Sequence, residues 1–486
     1  MLANLLGKRV HSSWHIAIAS SGVVFGVWLV ALLPTGMFAS IAWLFTGIGM
    51  VATGVWRANV ALIVLSLVGG LSIGLWRGSI SLDDDTSVGR YIGQQVRLTG
   101  VVTEDTEKNK QDQLIIRLTA ATINDSEASG SVWITTKSEA LVRRSDVVTV
   151  NAVLADGFGS FSASAYLADI VRVTRPTPGD IALTVRDEFS KGVTEVISEP
   201  QASLGLGYLV GQRRGLPEEL DTALQAAGLT HIVVASGYNL TILVRLARRL
   251  FERISKYLSF ISASGMILAF IAVTGMSPSM SRAGLVAGLS LLAWYYGRRF
   301  HPLVLLPFAM AITLLVQPSY AWGDIGWQLS FAAFGGVMIL APLLHAYFFG
   351  DKTDEQPVRR ILVETISAQV CTLPILLVTF GQFSVIAPIA NLLILPFVPL
   401  AMLLTFVGGI GGLVIGEVAH IIALPAELLL SYMTTTTQYL GNLPWAVQEI
   451  SITWLGATML FGCIIATCVY MWHKTKFSLN EASLVE

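Results

Sequence analysis

Four short stretches carry the polar and ionisable residues on which any chemistry of this chain must rest. The first runs Gly228-Leu-Thr-His231-Ile-Val-Val-Ala-Ser236-Gly237-Tyr-Asn239-Leu240 and is followed by Arg245, Arg248, Arg249 and Arg253. The second is Thr274-Gly-Met-Ser-Pro-Ser279-Met-Ser-Arg282-Ala283. The third is Asp324-Ile-Gly-Trp-Gln328-Leu-Ser-Phe331, and the fourth extends from Phe380-Gly-Gln-Phe-Ser384 to Asn391 and Pro396. Each interrupts an apolar run. Lipid has no water to satisfy such groups, so they must face protein or an aqueous path.

Several of these residues invite both a functional and a structural reading. Ser236 and Gly237 break a helix where backbone groups could open on a cavity, or they let two helices pack closely. Arg282 falls in a helix's first turn, the unfavourable end for a cation, so an acid, a carbonyl or a phosphate must meet it. A salt bridge to Asp324 or Glu364 would suffice. Asp324 could cap the helix that follows, with Gln328 one turn later on the same face. Asn391, within an apolar stretch, also needs a partner. Arg245, Arg248 and Arg249 could attract phosphates or could simply hold the topology by their charge.

Familiar catalytic arrangements are missing from the sequence. No two of the seven histidines lie within three residues of one another, so no HxH, HExxH or HxxEH spacing exists. No Walker A sequence is present, so the chain is expected to need no nucleotide, metal or other cofactor and not to be an enzyme. Cys371, Cys463 and Cys468 all sit in apolar runs, which leaves neither a disulfide framework nor a CxxC pair.

The elements that position these residues follow from composition. Of 486 residues, 53% are hydrophobic and 13% charged, and mean hydropathy is +0.66. That balance belongs to an integral membrane protein. The formal net charge of −1 gives no bulk attraction to nucleic acid. Residues 1–80 hold three apolar runs, each near the ~20 residues needed to cross a bilayer. Lys8 and Arg9 before the first run could suggest a signal peptide, but no clear cleavage site follows, so the first helix is expected to stay.

Residues 83–178 then read as strands. Runs beginning at Gln95, Gln113, Ser131, Asp146 and Tyr166 alternate in polarity, are rich in β-branched residues, and are separated by Asn, Asp, Ser and Gly. Five such strands suit a small barrel of the OB type. From Arg90 to Arg175 there are ten Lys/Arg and ten Asp/Glu, with Tyr91, Trp133, Phe158, Phe161 and Tyr166 as the aromatics. That balance shows no basic groove for DNA. Residues 179–215 read as an amphipathic linker, 216–473 as a polytopic membrane domain and 474–486 as a cytoplasmic tail.

The positive-inside rule orients the chain. Lys8, Arg9, Arg57, the Arg245–Lys256 cluster, Arg298/Arg299, Arg359/Arg360 and Lys474/Lys476 share the cytoplasmic side if helices start near residues 229, 258, 281, 302, 326 and 361. Both termini are then cytoplasmic and the barrel lies outside. No Lys or Arg occurs between Arg360 and Lys474, where Pro388, Pro396 and Pro399 could break a helix. The expected fold is a polytopic α-helical membrane protein of about eleven segments with an inserted all-β OB-like domain on the extracytoplasmic side.

Taken in order, the four stretches resemble the ComEC family of competence proteins. The matching residues are Gly228–Leu240, Thr274–Ala283, Trp327-Gln-Leu-Ser-Phe331, and Thr372-Leu-Pro374 through Phe380–Ser384 to Asn391 and Pro396. The resemblance implies a cytoplasmic-membrane channel that passes single-stranded DNA inward during natural transformation. It implies a pathway lined by His231, Ser236, Gly237, Asn239, Ser279, Arg282, Asp324, Gln328 and Asn391, with Arg245, Arg248 and Arg249 at the cytoplasmic mouth. Expected partners are single-stranded DNA, membrane lipid, a separate DNA receptor, a nuclease, a cytoplasmic helicase and a second copy of the chain. Three departures stand out. Many relatives carry a metallo-β-lactamase-like domain, and no HxHxDH occurs here, so strand degradation is expected from another protein. The family's S-G-x-H histidine is Asn239, which removes a titratable group. The barrel lacks the cysteine pair of some members.

Two other classes remain open on the residues alone: a polytopic enzyme or transporter for an anionic lipid-linked substrate, and an envelope scaffold docking through the barrel. The orientation makes a first prediction. A cysteine introduced at Asn124, in the expected link between the second and third strands, reacts with an impermeant maleimide on intact cells. Protection there until the cells are lysed would refute the sidedness.

Overall fold

A computed structural model describes residues 9–33, 36–84, 86–109, 111–138, 140–212, 215–233, 236–275, 277–297, 301–350 and 356–476. Lys8, residues 34–35 of the first turn, Arg298, Arg299 and residues 477–486 of the tail lie outside them. Along the chain, helices α1 (Ser12–Val30), α2 (Ile41–Arg57) and α3 (Ile63–Asp84) precede, among the described residues, six strands of three or more residues. These are β1 (Gln95–Val102), β2 (Leu114–Ile123), β3 (Ser131–Thr136), β4 (Val147–Asp156), β5 (Ala163–Ala165) and β6 (Asp169–Thr174). There follow α4 (Ile181–Val196), α5 (Gln201–Val210), α6 (Glu218–Ala226), α7 (Gly237–Glu252), α8 (Lys256–Thr274), α9 (Pro278–Tyr295) and α10 (Pro302–Val316). The last six are α11 (Ile325–Phe349), α12 (Pro357–Thr379), α13 (Ala387–Ile394), α14 (Val398–Ile415), α15 (His420–Gly441) and α16 (Trp454–Thr475).

Seven helical stretches among the described residues are long and apolar enough to cross a membrane: α1, 60–82, α8, α11, α12, 387–415 and α16. Helices α2 and α10 are apolar but shorter. Much of their surface has no protein against it; only 11% of the α16 window is buried. Contiguous apolar surface of that extent demands lipid, not water. The chain is thus a multi-pass membrane protein. Helices begin at residues 230, 256, 278, 302, 325 and 357, close to the starts that the basic clusters require. The first of these is no long described span, however: Thr230–Val233 is a single turn among the described residues, and α7 starts at Gly237 with extended Ser236 as its N-cap.

The chain divides into two compact units, 1–180 with 303–328, and 181–302 with 329–486. In the first, α1 and α3 pack through facing Gly-x-x-x-Gly pairs. A Cβ at Gly22 or Gly26 would lie 2.4–2.5 Å from the Leu67 or Leu71 carbonyl, and one at Gly74 2.3 Å from that of Val23. Such close approach substitutes dispersion for the hydrophobic drive that lipid cannot supply. His15, buried between these helices, bonds Ser66 at 2.8 Å. Arg77 donates from Nε to the Leu315 carbonyl (2.7 Å) and from Nη2 to that of Val316 (2.9 Å). It thereby satisfies orphan carbonyls at the end of α10.

The β domain is a closed barrel with the strand order β1-β2-β3-β5-β4 and back to β1, β3 and β5 being parallel. That is the OB arrangement. Leu98, Ile116, Leu118, Ile134, Val148, Val150 and Leu154 fill its interior. The closing strand differs from expectation. The run from Tyr166 forms β6, which pairs with the first half of β4, whereas β5 closes the barrel along the second half. Ala163-Ser-Ala165 carries no β-branched or large apolar residue that would mark it as a strand, yet all three are buried. The link between β2 and β3 turns through Asn124 and Asp125 at positive φ, and Asn124 accepts from the Arg97 N–H (2.9 Å). Exposed Glu127 therefore carries a sidedness label with less disturbance.

Within 179–215, expected as an amphipathic linker, α4 has one buried and one exposed face, but α5 forms core. In α5 every residue from Ala202 to Val210 is buried, and it lies at the centre of the second unit's apolar cluster with α6, α13, α14 and α15. Ten residues are too few to span a bilayer, which is why the segment does not announce itself as a membrane helix. Helix α4 packs on α14, where a Cβ at Gly412 would lie 2.0 Å from the Gly192 carbonyl. Residues 303–328, expected within the polytopic domain, belong to the first unit, tied there by Arg77.

At the base of the barrel, buried Asp146 accepts from the Arg143 N–H (2.9 Å) and from Arg175 Nε (3.0 Å) and Nη2 (3.2 Å). Asp146→Ala removes the acceptor of the Arg143 N–H and of half-exposed Arg175, and lowers barrel stability by roughly 1–3 kcal/mol. Pulse proteolysis of the full chain reads this as faster cleavage within 95–175; an unchanged rate would show that the pair is dispensable.

Candidate functional site

Three of the four polar stretches gather around the start of α7 at Ser236 and Gly237. Ser236 is the N-cap of α7 and accepts from the Asn239 N–H. Asn239 has no exposed surface; its Nδ2 donates to the carbonyls of Tyr208 (3.1 Å) and Ile232 (2.9 Å). One belongs to the last turn of α5, the other to the one-turn helix. Both are carbonyls that helix ends leave orphaned. An uncharged amide supplies two donors, whereas an imidazole supplies two only as a cation. Asn at this position thus closes both helix ends without burying a charge. His231 is exposed, and its Nδ1 donates to the Gly228 carbonyl at 3.0 Å.

The fourth stretch meets the first. Ser384 Oγ donates to the Ala226 carbonyl (2.6 Å), and Gln369 Nε2 donates to that of Ser384. Gly228 has φ +69°, and a Cβ there would come within 2.7 Å of Ala387 Cβ, so both its backbone and its space require glycine. Tyr238 donates to the Leu395 carbonyl at 3.3 Å. Asn391, 4% exposed, has a buried Oδ1 without a hydrogen-bond partner among the described residues. Gln369 and Ser384, with Tyr208 and Tyr238, were assigned no role from the sequence, although Ser384 and Tyr238 lie within the fourth and first stretches. The first two carry a weak signal, being polar in apolar runs, but Tyr208 contributes only a carbonyl.

The second stretch also joins. A Cβ at Gly237 would lie 3.3 Å from Ala283 Cβ, placing the starts of α7 and α9 side by side. Arg282 is 2% exposed and donates from Nη2 to Ser279 Oγ at 2.9 Å; Ser279 itself is exposed. Glu364 pairs with Arg360 (2.8 Å). The three arginines expected at the mouth are not equivalent. Arg248 is buried, with its guanidinium 5.0 Å from the Trp294 ring, while Arg245 is half-buried and Arg249 exposed. Arg248 therefore cements α7 to α9.

Asp324 to Gln328 of the third stretch fall in the other unit. Asp324 Oδ1 accepts from the Trp327 N–H (2.6 Å), and Gln328 Nε2 donates to the Ala321 carbonyl (3.1 Å). Trp327 Nε1 donates to Thr313 Oγ1 (2.9 Å). These bonds fix the start of α11. On the barrel in this unit, the Trp133, Phe158 and Phe161 rings stand 5.3–5.7 Å apart, with Arg117 5.2 Å from the Trp133 ring.

Fold and site together define a polytopic membrane protein with an inserted OB-like barrel and a helical unit organised around a polar helix break. A family profile described as "Competence protein" matches residues 208–476, more than half of the sequence, and the chain belongs to this ComEC-type family. It is similar to "ComE operon protein 3" of Bacillus subtilis (strain 168), at 29% identity over 232 residues, 47% of this chain and 29% of that protein. It is also similar to an uncharacterized protein of Aquifex aeolicus (strain VF5), at 25% identity over 231 residues, 47% of this chain and 51% of that one. The aligned part thus spans about half, or less, of each relative's own length. No solved structure matches.

Asn239→Leu leaves two buried carbonyls unmet and destabilises the helical unit by roughly 2–5 kcal/mol. Asn239→Asp, of equal size but lacking the donors, does the same. Thermal unfolding in detergent micelles distinguishes the outcomes: wild-type melting in both variants would remove Asn239 from its clamping role.

Proposed function

We propose that this chain is a channel that passes one strand of DNA across the cytoplasmic membrane into the cell during natural transformation. The observation that carries the reading is family membership over residues 208–476, the region that holds all four polar stretches. On this reading the barrel faces outward and meets incoming DNA, both termini are cytoplasmic, and the chain performs no catalysis. A separate receptor, a nuclease and a cytoplasmic helicase supply capture, strand degradation and directional pull.

Within the helical unit, buried Arg282, which donates to Ser279 near the start of α9, is the cation assigned to a passing phosphate, and the positive end of the same helix favours an anion there. Exposed Arg249 is the member of the arginine trio free to meet phosphate at the cytoplasmic mouth. Ser236, Gly237 and Asn239 hold the break open in a defined shape, and Asp324 with Gln328 does the same for α11.

Uptake of fluorescently labelled DNA tests this. Arg282→Ala, present in the membrane at wild-type level, is expected to lower uptake by about tenfold or more, equivalent to ~1.4 kcal/mol of lost stabilisation. Arg249→Glu lowers it as well. Unchanged uptake in both variants, or in cells lacking the chain, would overturn the channel assignment.

A further inference from the structure

We infer that the barrel carries a stacking site for an unpaired nucleobase, built on Trp133, Phe158 and Phe161. The ligand class rests on the DNA-uptake reading; the geometry does not. Trp133 on β3 stands directly opposite Arg117 on β2, and the two flanking loops, 103–113 and 157–162, bring Glu104 and Glu107 from one side and both phenylalanines from the other. The β2–β3 face between these loops is where OB barrels take oligonucleotides or oligosaccharides. Phe158 is 45% exposed at a loop tip, although the other two rings lie within 5.7 Å of it. Three clustered rings on a hydrophilic barrel make a platform, not scattered surface apolarity.

Charge decides what this platform reads. Arg117 is ion-paired with Glu104 and, at 3.6 Å, with Glu107, while its guanidinium lies over Trp133. Two carboxylates offset one cation, so the face has no positive surplus to draw phosphate. What it offers is ring surface. An unpaired base presents a π-face to such a surface, whereas a duplex hides its bases in the stack. A sugar needs many hydrogen bonds, and the two nearest carboxylates are already engaged by Arg117. The site therefore takes a single strand, by stacking, with little dependence on salt.

Its placement follows from two glycines. Gly159, between the two phenylalanines, has φ +61°, and a Cβ on Gly323 would lie 2.1 Å from the Gly159 carbonyl oxygen. The aromatic loop is thus seated, backbone to backbone, on the residue preceding Asp324. A base held on the platform sits next to the turn that opens the third polar stretch.

The test is fluorescence anisotropy of a labelled oligothymidine with the full chain in nanodiscs. Phe158→Ala, at an exposed position, is expected to weaken binding about fivefold to a hundredfold, the range for one stacked base. Wild-type affinity should change less than about threefold between about 50 and 200 mM salt, against the thousandfold or more of a phosphate-gripping site. An equimolar duplex should not compete. Equal binding by wild type and Phe158→Ala, steep salt dependence, no binding at all, or competition by a soluble cell-wall oligosaccharide instead of by single strands would each overturn the site. Failure here with uptake still lost in Arg282→Ala refutes the platform alone; normal uptake in Arg282→Ala and Arg249→Glu refutes the channel.

Discussion

The second unit depends on how the backbone carbonyls at its broken helices are satisfied in a setting without water. A helix that stops inside a bilayer leaves up to four carbonyls unpaired, each costly in hydrocarbon. Here extended Ser236 precedes α7, which starts at Gly237, a few residues after the turn Thr230–Val233. Asn239 reaches back to Ile232 and across to Tyr208, and Ser236 caps the new start. Ser384 takes up the Ala226 carbonyl beneath the same break. The polar residues that look out of place in an apolar run are, in large part, the hydrogen-bond donors that permit the run to be interrupted.

A second constraint shapes both units. Helices in lipid gain little from hiding apolar surface from one another, so close contact between small residues must hold them. Gly22 and Gly26 against Gly70 and Gly74 do this for the N-terminal helices, and Gly192 against Gly409 and Gly412 for α4 and α14. Such backbone contacts leave no room for a side chain. Tightly packed helices with defined breaks give a scaffold in which a few polar groups keep fixed positions.

The polar residues then separate into two kinds. Asn239, Asp324, Gln328 and Arg248 are committed to carbonyls, helix caps or an aromatic ring, and they act by holding shape. Asn391, His231 and Arg249 retain polar atoms or charge that these bonds do not take up, and the proposed DNA pathway draws on them together with buried Arg282. The barrel contributes differently. Its charges balance, so the stacking proposed for its clustered rings does not depend on attraction of phosphate.

The sequence by itself determined the class of protein. Apolar runs near the length of a bilayer, a strand-patterned insert and four ordered polar stretches point to a multi-pass membrane protein with an OB-like barrel, because length, period and polarity are local properties of a chain. The helix starts near the basic clusters were legible for the same reason. Tertiary structure decided what local pattern cannot encode. Short α5 is core and not linker because three neighbouring helices and α6 surround it. Ala163–Ala165 closes the barrel because only β4 and β3 make it a strand. Residues 303–328 join the first unit because Arg77 and Gly159 meet them from far away in sequence. Asn239 is a clamp, not a bare pathway group, because the carbonyls it serves lie 7 and 31 residues away, at distances no periodicity reports.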